Sequence, residues 1–256
     1  MTGQNELPTL PAMNIISRLL LGLSLLLSLF SLPAEDKKSD AESFIGWLLQ
    51  EDRDLTGVPF ADVVKATSGK KVLPLDAGSS ADRELLEKLG RALDEVLNRM
   101  NQPDSPAQKQ KRINEVSSHF ENEIRRVLDA HPDFSCDYPK LKSGKVQRSG
   151  YPDLRLVDKK NGRVIYIDPK LFEAGNRTST LRTFYFEPNA DPNKILEDAH
   201  HMLIGIEHGG KQGDLWKFQH WELVDLSKFR VRLKAEFQGS NRDLYRPEAI
   251  VGTSRK

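Results

Sequence analysis

The chain has 256 residues, of which 38% are hydrophobic and 29% charged, and its 38 Lys and Arg against 37 Asp and Glu leave a net charge of +1. That length and apolar content suffice for one medium domain with its own core plus a tail, and exclude a disordered or collagen-like chain. So even a charge balance gives no argument from overall charge for a nucleic-acid partner, which has to be read from local clusters instead.

The first segment, "MNIISRLLLGLSLLLSLFSLPAED", carries the cation Arg18, an apolar run from Leu19 to Leu32, and Pro33-Ala34 before charges resume. This pattern predicts a secretory signal peptide over residues 1–34, cleaved after Ala34, with Met13 as a possible true start. The apolar run falls short of the roughly 20 residues of a bilayer span, and an uncleaved N-terminal membrane anchor is the alternative. The expected address is secreted or periplasmic; N-terminal sequencing of native protein tests it by finding, or not finding, Glu35 first. Cys136 is the one cysteine, so no intramolecular disulfide is expected and the fold must rest on its core.

Residues 35–42 read as a polar linker. "SFIGWLLQ" reads as a short helix with Phe44, Trp47 and Leu48 on one face. "KKVLPLD" reads as an edge strand, because Pro74 lacks a backbone donor. A strong helix follows in "GSSADRELLEKLGRALDEVLNRMN", capped by Ser80, with Leu85, Leu86, Leu89, Leu93, Val96 and Leu97 as its apolar stripe. These elements make residues 35–106 an N-terminal helical region. A second long helix is expected over 107–130, where Ile113, Val116, Phe120, Ile124 and Val127 repeat at helical spacing. Glu123 sits about 70° from the centre of that stripe and Glu121 about 90°.

Beyond "HPDF" the period falls from 3.6 to 2. "DLRLVD", "RVIYIDPK" and "TLRTFYFEP" read as strands, the first two joined by "KKNG", whose Asn-Gly favours a hairpin. Asp191 and Pro192 then suit the start of a helix "NKILEDAHH", placing His200 and His201 at its end. "MLIGIEH", "KFQHWELVDL" and "FRVRLKAEF" complete the strands. The order is α, β, β, β, α, β.

That order, with "GYPDLRLVDKKNGRVIYIDPK" inside it, resembles the PD-(D/E)XK nuclease superfamily over residues 107–226. Pro152-Asp153 matches the first half of the motif and Asp168-Pro169-Lys170 the second. Pro169 departs from the usual pattern of a paired strand, because it removes a backbone donor. The resemblance implies an α+β protein: a mixed central β-sheet flanked by helices, in a restriction-endonuclease-like αβββαβ core over residues 107–256. It implies hydrolysis of nucleic acid, DNA rather than RNA, with Asp153, Asp168, Lys170 and an acidic residue of the preceding helix in the catalytic set. Glu123 fits that last position best and Glu121 is the reserve.

The residues support the same chemistry on their own terms. Asp168 and Lys170 point to one face of their strand, about 6.6 Å apart along it. Two carboxylates converging on one point repel unless a cation intervenes, and hard oxygen ligands suit Mg²⁺ or Mn²⁺. Lys145 and Arg148, near Lys140 and Lys142, and then Arg177 and Arg182 offer phosphate contacts around the motif. Two other classes stay open: an exported domain of this fold without activity, and an unrelated α+β binding protein whose hairpin charges form a solvated rim.

Overall fold

A computed structural model describes residues 36–180, 183–187, 193–236 and 238–254. The signal or anchor segment, residues 1–34, lies outside these residues, as do Arg182, Asp191 and Pro192. The chain divides into two compact units, one made of Met1–Leu55 with Leu233–Lys256 and the other of Thr56–Arg232. These limits differ from a division at residue 106. In the first unit, helix α1 (Asp36–Asp54) begins where a linker was expected, since Lys, Glu and Ala in that stretch are competent helix formers. Leu233 N donates to Leu55 O at 3.0 Å in the same unit.

The second unit runs β1 (Val58–Pro59), α2 (Phe60–Ser68), β2 (Val72–Leu73), α3 (Ser80–Met100), α4 (Ile113–Ala130), β3 (Phe134–Asp137), β4 (Leu154–Asp158), β5 (Val164–Glu173), β6 (Ala199–Gln212), β7 (Leu215–Asp225) and β8 (Arg230–Val231). Its main sheet is mixed, in the order β3-β4-β5-β6, with β2 and β7 sharing the far edge of β6. Strands β3, β4 and β5 pair antiparallel, β5 and β6 parallel. Ser79 caps α3, one residue before the expected Ser80, by accepting from Asp82 N at 3.3 Å.

Alternation along the strands splits the core into two layers. On one face, Leu154, Leu156, Ile165, Ile167 and Ile204 pack with Leu89 and Leu93 of α3 and Phe120 and Ile124 of α4. On the other, Tyr166 and Ala199 pack with Phe60 of α2, Tyr151 and Leu226. Helix α3 therefore shares its core with the sheet rather than belonging to a separate helical region.

The element order departs from expectation in three places. The "TLRTFYFEP" segment, where described (183–187), is not a strand. Its Phe184 and Phe186 instead edge onto Phe60, at 5.3 and 5.6 Å between ring centres. The helix expected over "NKILEDAHH" is absent from residues 193–198, and β6 begins at Ala199. Distant partners hold this stretch instead: Leu196 N donates to Tyr166 Oη and Ala199 N to Lys71 O, while the Asn193 side chain donates to Thr67 O. His200 and His201 consequently lie inside β6, with His201 fully buried. Third, β3 follows α4 directly. At four residues, with Phe134 and Cys136 facing in, it is too short to show a clear period. The αβββαβ order thus becomes, among the described residues, a helix and three antiparallel strands crossing over irregular chain to β6. The mixed sheet flanked by helices stands.

Candidate active site

The β4–β5 hairpin builds the site. Its register pairs Arg155 with Tyr166 and Leu154 with Ile167, the last pair of the ladder. Asp153 N still donates to Ile167 O at 3.1 Å, and past the end of β4 the β5 strand stays paired with β6 alone. Because Leu154 faces the helices, Asp153 turns to the opposite face, which is also that of Asp168 and Lys170. One ammonium, that of Lys170, reaches both the Asp153 and the Asp168 carboxyl. Lys170 Nζ stands 2.7 Å from Asp168 Oδ2 and 3.8 Å from Asp153 Oδ2.

Pro169 fits this arrangement without losing a bond. Asp158 N bonds to Arg163 O, so the odd-numbered residues of β5 turn their backbone groups towards β4. At Pro169 that strand has ended, and the missing N–H falls where no partner stands. The proline marks the place where β5 leaves the hairpin and presents its charges.

The electrostatics are those of two carboxyls held too close together. Asp168 is 3% exposed. Burial, then the neighbouring Asp168 charge, push Asp153 up to about 8 against the pull of Lys170. Asp168 Oδ2 makes its ion pair with Lys170 but receives no well-directed hydrogen bond. A divalent cation fits this donor set, because a hard ion would satisfy the orphaned oxygen and remove the repulsion. Among the described residues no three His, Cys, Asp or Glu side chains cluster for a metal. Asp153 and Asp168 would then be the two side chains to hold such an ion.

Glu123 is not part of this group. Its carboxylate pairs with Arg126 at 2.5 Å and lies 3.7 Å from Arg99 of α3, and the Arg126 hydrogen bonds hold it below the usual range. The border of α4 on which it sits faces α3. Glu121 is the acidic residue of α4 whose charge reaches Asp153. The candidate phosphate contacts divide as well. Lys145 is exposed in the 139–150 loop. Arg148 stacks 4.3 Å from the Tyr138 ring and reaches Glu121 at 3.5 Å. Arg177 pairs instead with Glu222 at 2.6 Å. No sequence signal points to Lys194, a buried lysine whose ammonium feels the charges of Asp153, Asp168 and Glu121.

The carboxyl pair should leave a mark on stability. Asp153 is raised above its unfolded pKa, so between the two values the folded state binds the extra proton and stability falls as pH rises towards 8. His201, lowered to about 4, acts in the opposite sense, but only below about 6.5, where the unfolded imidazole titrates. Lys194, lowered to about 8, opposes the loss as pH nears 8, so the clean window is about pH 6.5 to 7.5. Metal-free protein should lose about 1 kcal/mol across it, at 1.36 kcal/mol per pH unit. Denaturant melts checked at both pH values should show the loss reversed by Mg²⁺ and absent in Asp153→Asn.

A mixed sheet flanked by helices, with paired carboxyls and a lysine at the end of a central hairpin, has the architecture of a restriction-endonuclease-like protein. Residues 54–248 match the profile of the type II restriction enzyme MjaV family, and the chain belongs to that family. The type II restriction enzyme MjaV of Methanocaldococcus jannaschii is 33% identical over 226 residues, covering 84% of this chain and 97% of its own length. Membership removes the reading of an unrelated α+β binding protein.

Proposed function

We propose that the protein is a metal-dependent endonuclease of the PD-(D/E)XK type that hydrolyses phosphodiester bonds of duplex DNA as a type II restriction enzyme. One observation carries the reading: Asp153, Asp168 and Lys170 meet on one face of β5 beside the start of β4, in a chain of the MjaV family. Asp153 and Asp168 would hold Mg²⁺ or Mn²⁺. The bound ion supplies the charge that polarises the phosphodiester and lowers the pKa of a water. Asp168, held within β5, and Asp153, entering just before β4, orient what binds between them. Lys170 places an ammonium beside both carboxylates, able to hold the attacking water and offset charge developing on phosphorus. Glu121 takes the role of the helix acid in place of Glu123, and Arg148 contacts the substrate backbone.

Export of such an enzyme rests on the N-terminal segment alone and draws no support from the family. The chemistry is tested with the purified chain against single- and double-stranded DNA and RNA, with Mg²⁺, Mn²⁺ or chelator. Cutting of duplex DNA with either metal, and none in chelator, is the expected result. No cutting of any substrate under any metal would hand the assignment to a domain that keeps the fold without the activity.

A further inference from the structure

Lys194 lies just before β6 and is 3% exposed. Its ammonium donates to the carbonyls of Gln147 (at 3.3 Å), Gly150 and Pro152. Three acceptors match the three N–H bonds of an ammonium, so the group is fully satisfied. All three carbonyls belong to the stretch that leaves the basic 139–150 loop and delivers Asp153. The lysine itself is anchored from both sides. Ile195 is buried and its N–H bonds to Asn193 Oδ1 at 2.8 Å, while Leu196 N bonds to Tyr166 Oη of β5 at 3.0 Å. Burying a cation costs several kcal/mol of desolvation, which packing alone would not call for. The charges facing it are those of Asp153, Asp168 and Glu121, and it stays protonated at neutral pH, being lowered only to about 8.

We propose that Lys194 is a positioning residue: its buried ammonium gathers the carbonyls of Gln147, Gly150 and Pro152 and so sets Asp153 beside Asp168. The proposal rests on Asp153 and Asp168 being the hydrolytic pair. Lys194 links β5 and the start of β6 to the chain entering β4, and it acts on the reaction through Asp153 rather than by touching substrate. It also lines a hollow of about 330 Å³ with Arg155, Tyr166 and Glu197.

The test uses the full chain with duplex DNA and Mg²⁺. Lys194→Met keeps much of the volume and removes charge and donors. It should lower kcat by about 10- to 100-fold, as expected for a misplaced reacting group, with KM for DNA within about twofold. Lys194→Ala should lose a similar amount and regain about tenfold with ethylammonium, which carries N–H donors. Tetramethylammonium at equal concentration, a cation without donors, should restore nothing. Wild-type kcat in Lys194→Met, a loss confined to KM, or equal restoration by both ions would overturn the proposal. One readout does not depend on the folding of any variant: in the wild type, a solvent-excluded ammonium should give a ¹⁵N-lysine NMR signal that persists at pH 7, and its absence would also overturn the proposal. A wild-type chain that shows the signal but cuts no DNA would instead refute the hydrolytic reading of Asp153 and Asp168.

Discussion

Asp168→Asn is expected to lower duplex DNA cleavage by about 10³-fold or more while leaving the thermal midpoint unchanged or higher. The two halves of this result have one origin. Asp168 is 3% exposed, and its charge is a leading reason that Asp153 is pushed up to about 8. An amide of the same shape takes a charge out of a buried place and lets Asp153 ionise and pair with Lys170 in place of the lost Asp168 ion pair. Functional sites commonly hold stability back in this way. The same amide is a poor ligand for a hard cation and leaves a single carboxylate to hold it. Electrophilic assistance worth several kcal/mol is then lost, and 1.36 kcal/mol corresponds to a factor of ten in rate. Single-turnover cleavage and a melting curve on the same sample check both halves. Retained cleavage would remove Asp168 from the site, and collapse of the fold would make it a structural residue.

Lys170→Met should slow the chemical step by about 10²- to 10³-fold, the scale of a lost acid–base or charge-stabilising group. Metal binding should survive. Lys170 Nζ lies 2.7 Å from Asp168 Oδ2, so removing it strips a competing cation from a carboxylate that the metal needs. Calorimetric titration with Mn²⁺ should therefore show affinity equal to the wild type or higher, beside a kcat that has fallen. Affinity and kcat falling together would mean that Lys170 organises the carboxylates rather than acting on the water or the phosphate.

The hairpin was legible because its signals are local. Period-2 runs on either side of Asn161-Gly162 set register, and register sends Asp153, Asp168 and Lys170 to one face. Residues whose roles depend on distant neighbours were not legible. Glu123 and Glu121 both border the stripe of α4, and the separation between them is made by Arg99, which α3 brings to Glu123. The Asp191-Pro192 signal suited a helix, but the chain after it is held by Thr67, Tyr166 and Lys71. Lys194 has no motif around it at all. Its acceptors lie 42 to 47 residues back in the chain, and only the folded loop brings them to it.

The most direct measurement is the cleavage pattern of unmodified plasmid and phage DNA by the full wild-type chain, run in Mg²⁺ and in chelator beside Asp153→Asn and Asp168→Asn. A restriction-type endonuclease using this carboxylate pair should give discrete fragments in Mg²⁺, nothing in chelator, and nothing with either variant. A continuous smear, cutting that survives chelation, or fragments undiminished in both variants would contradict it.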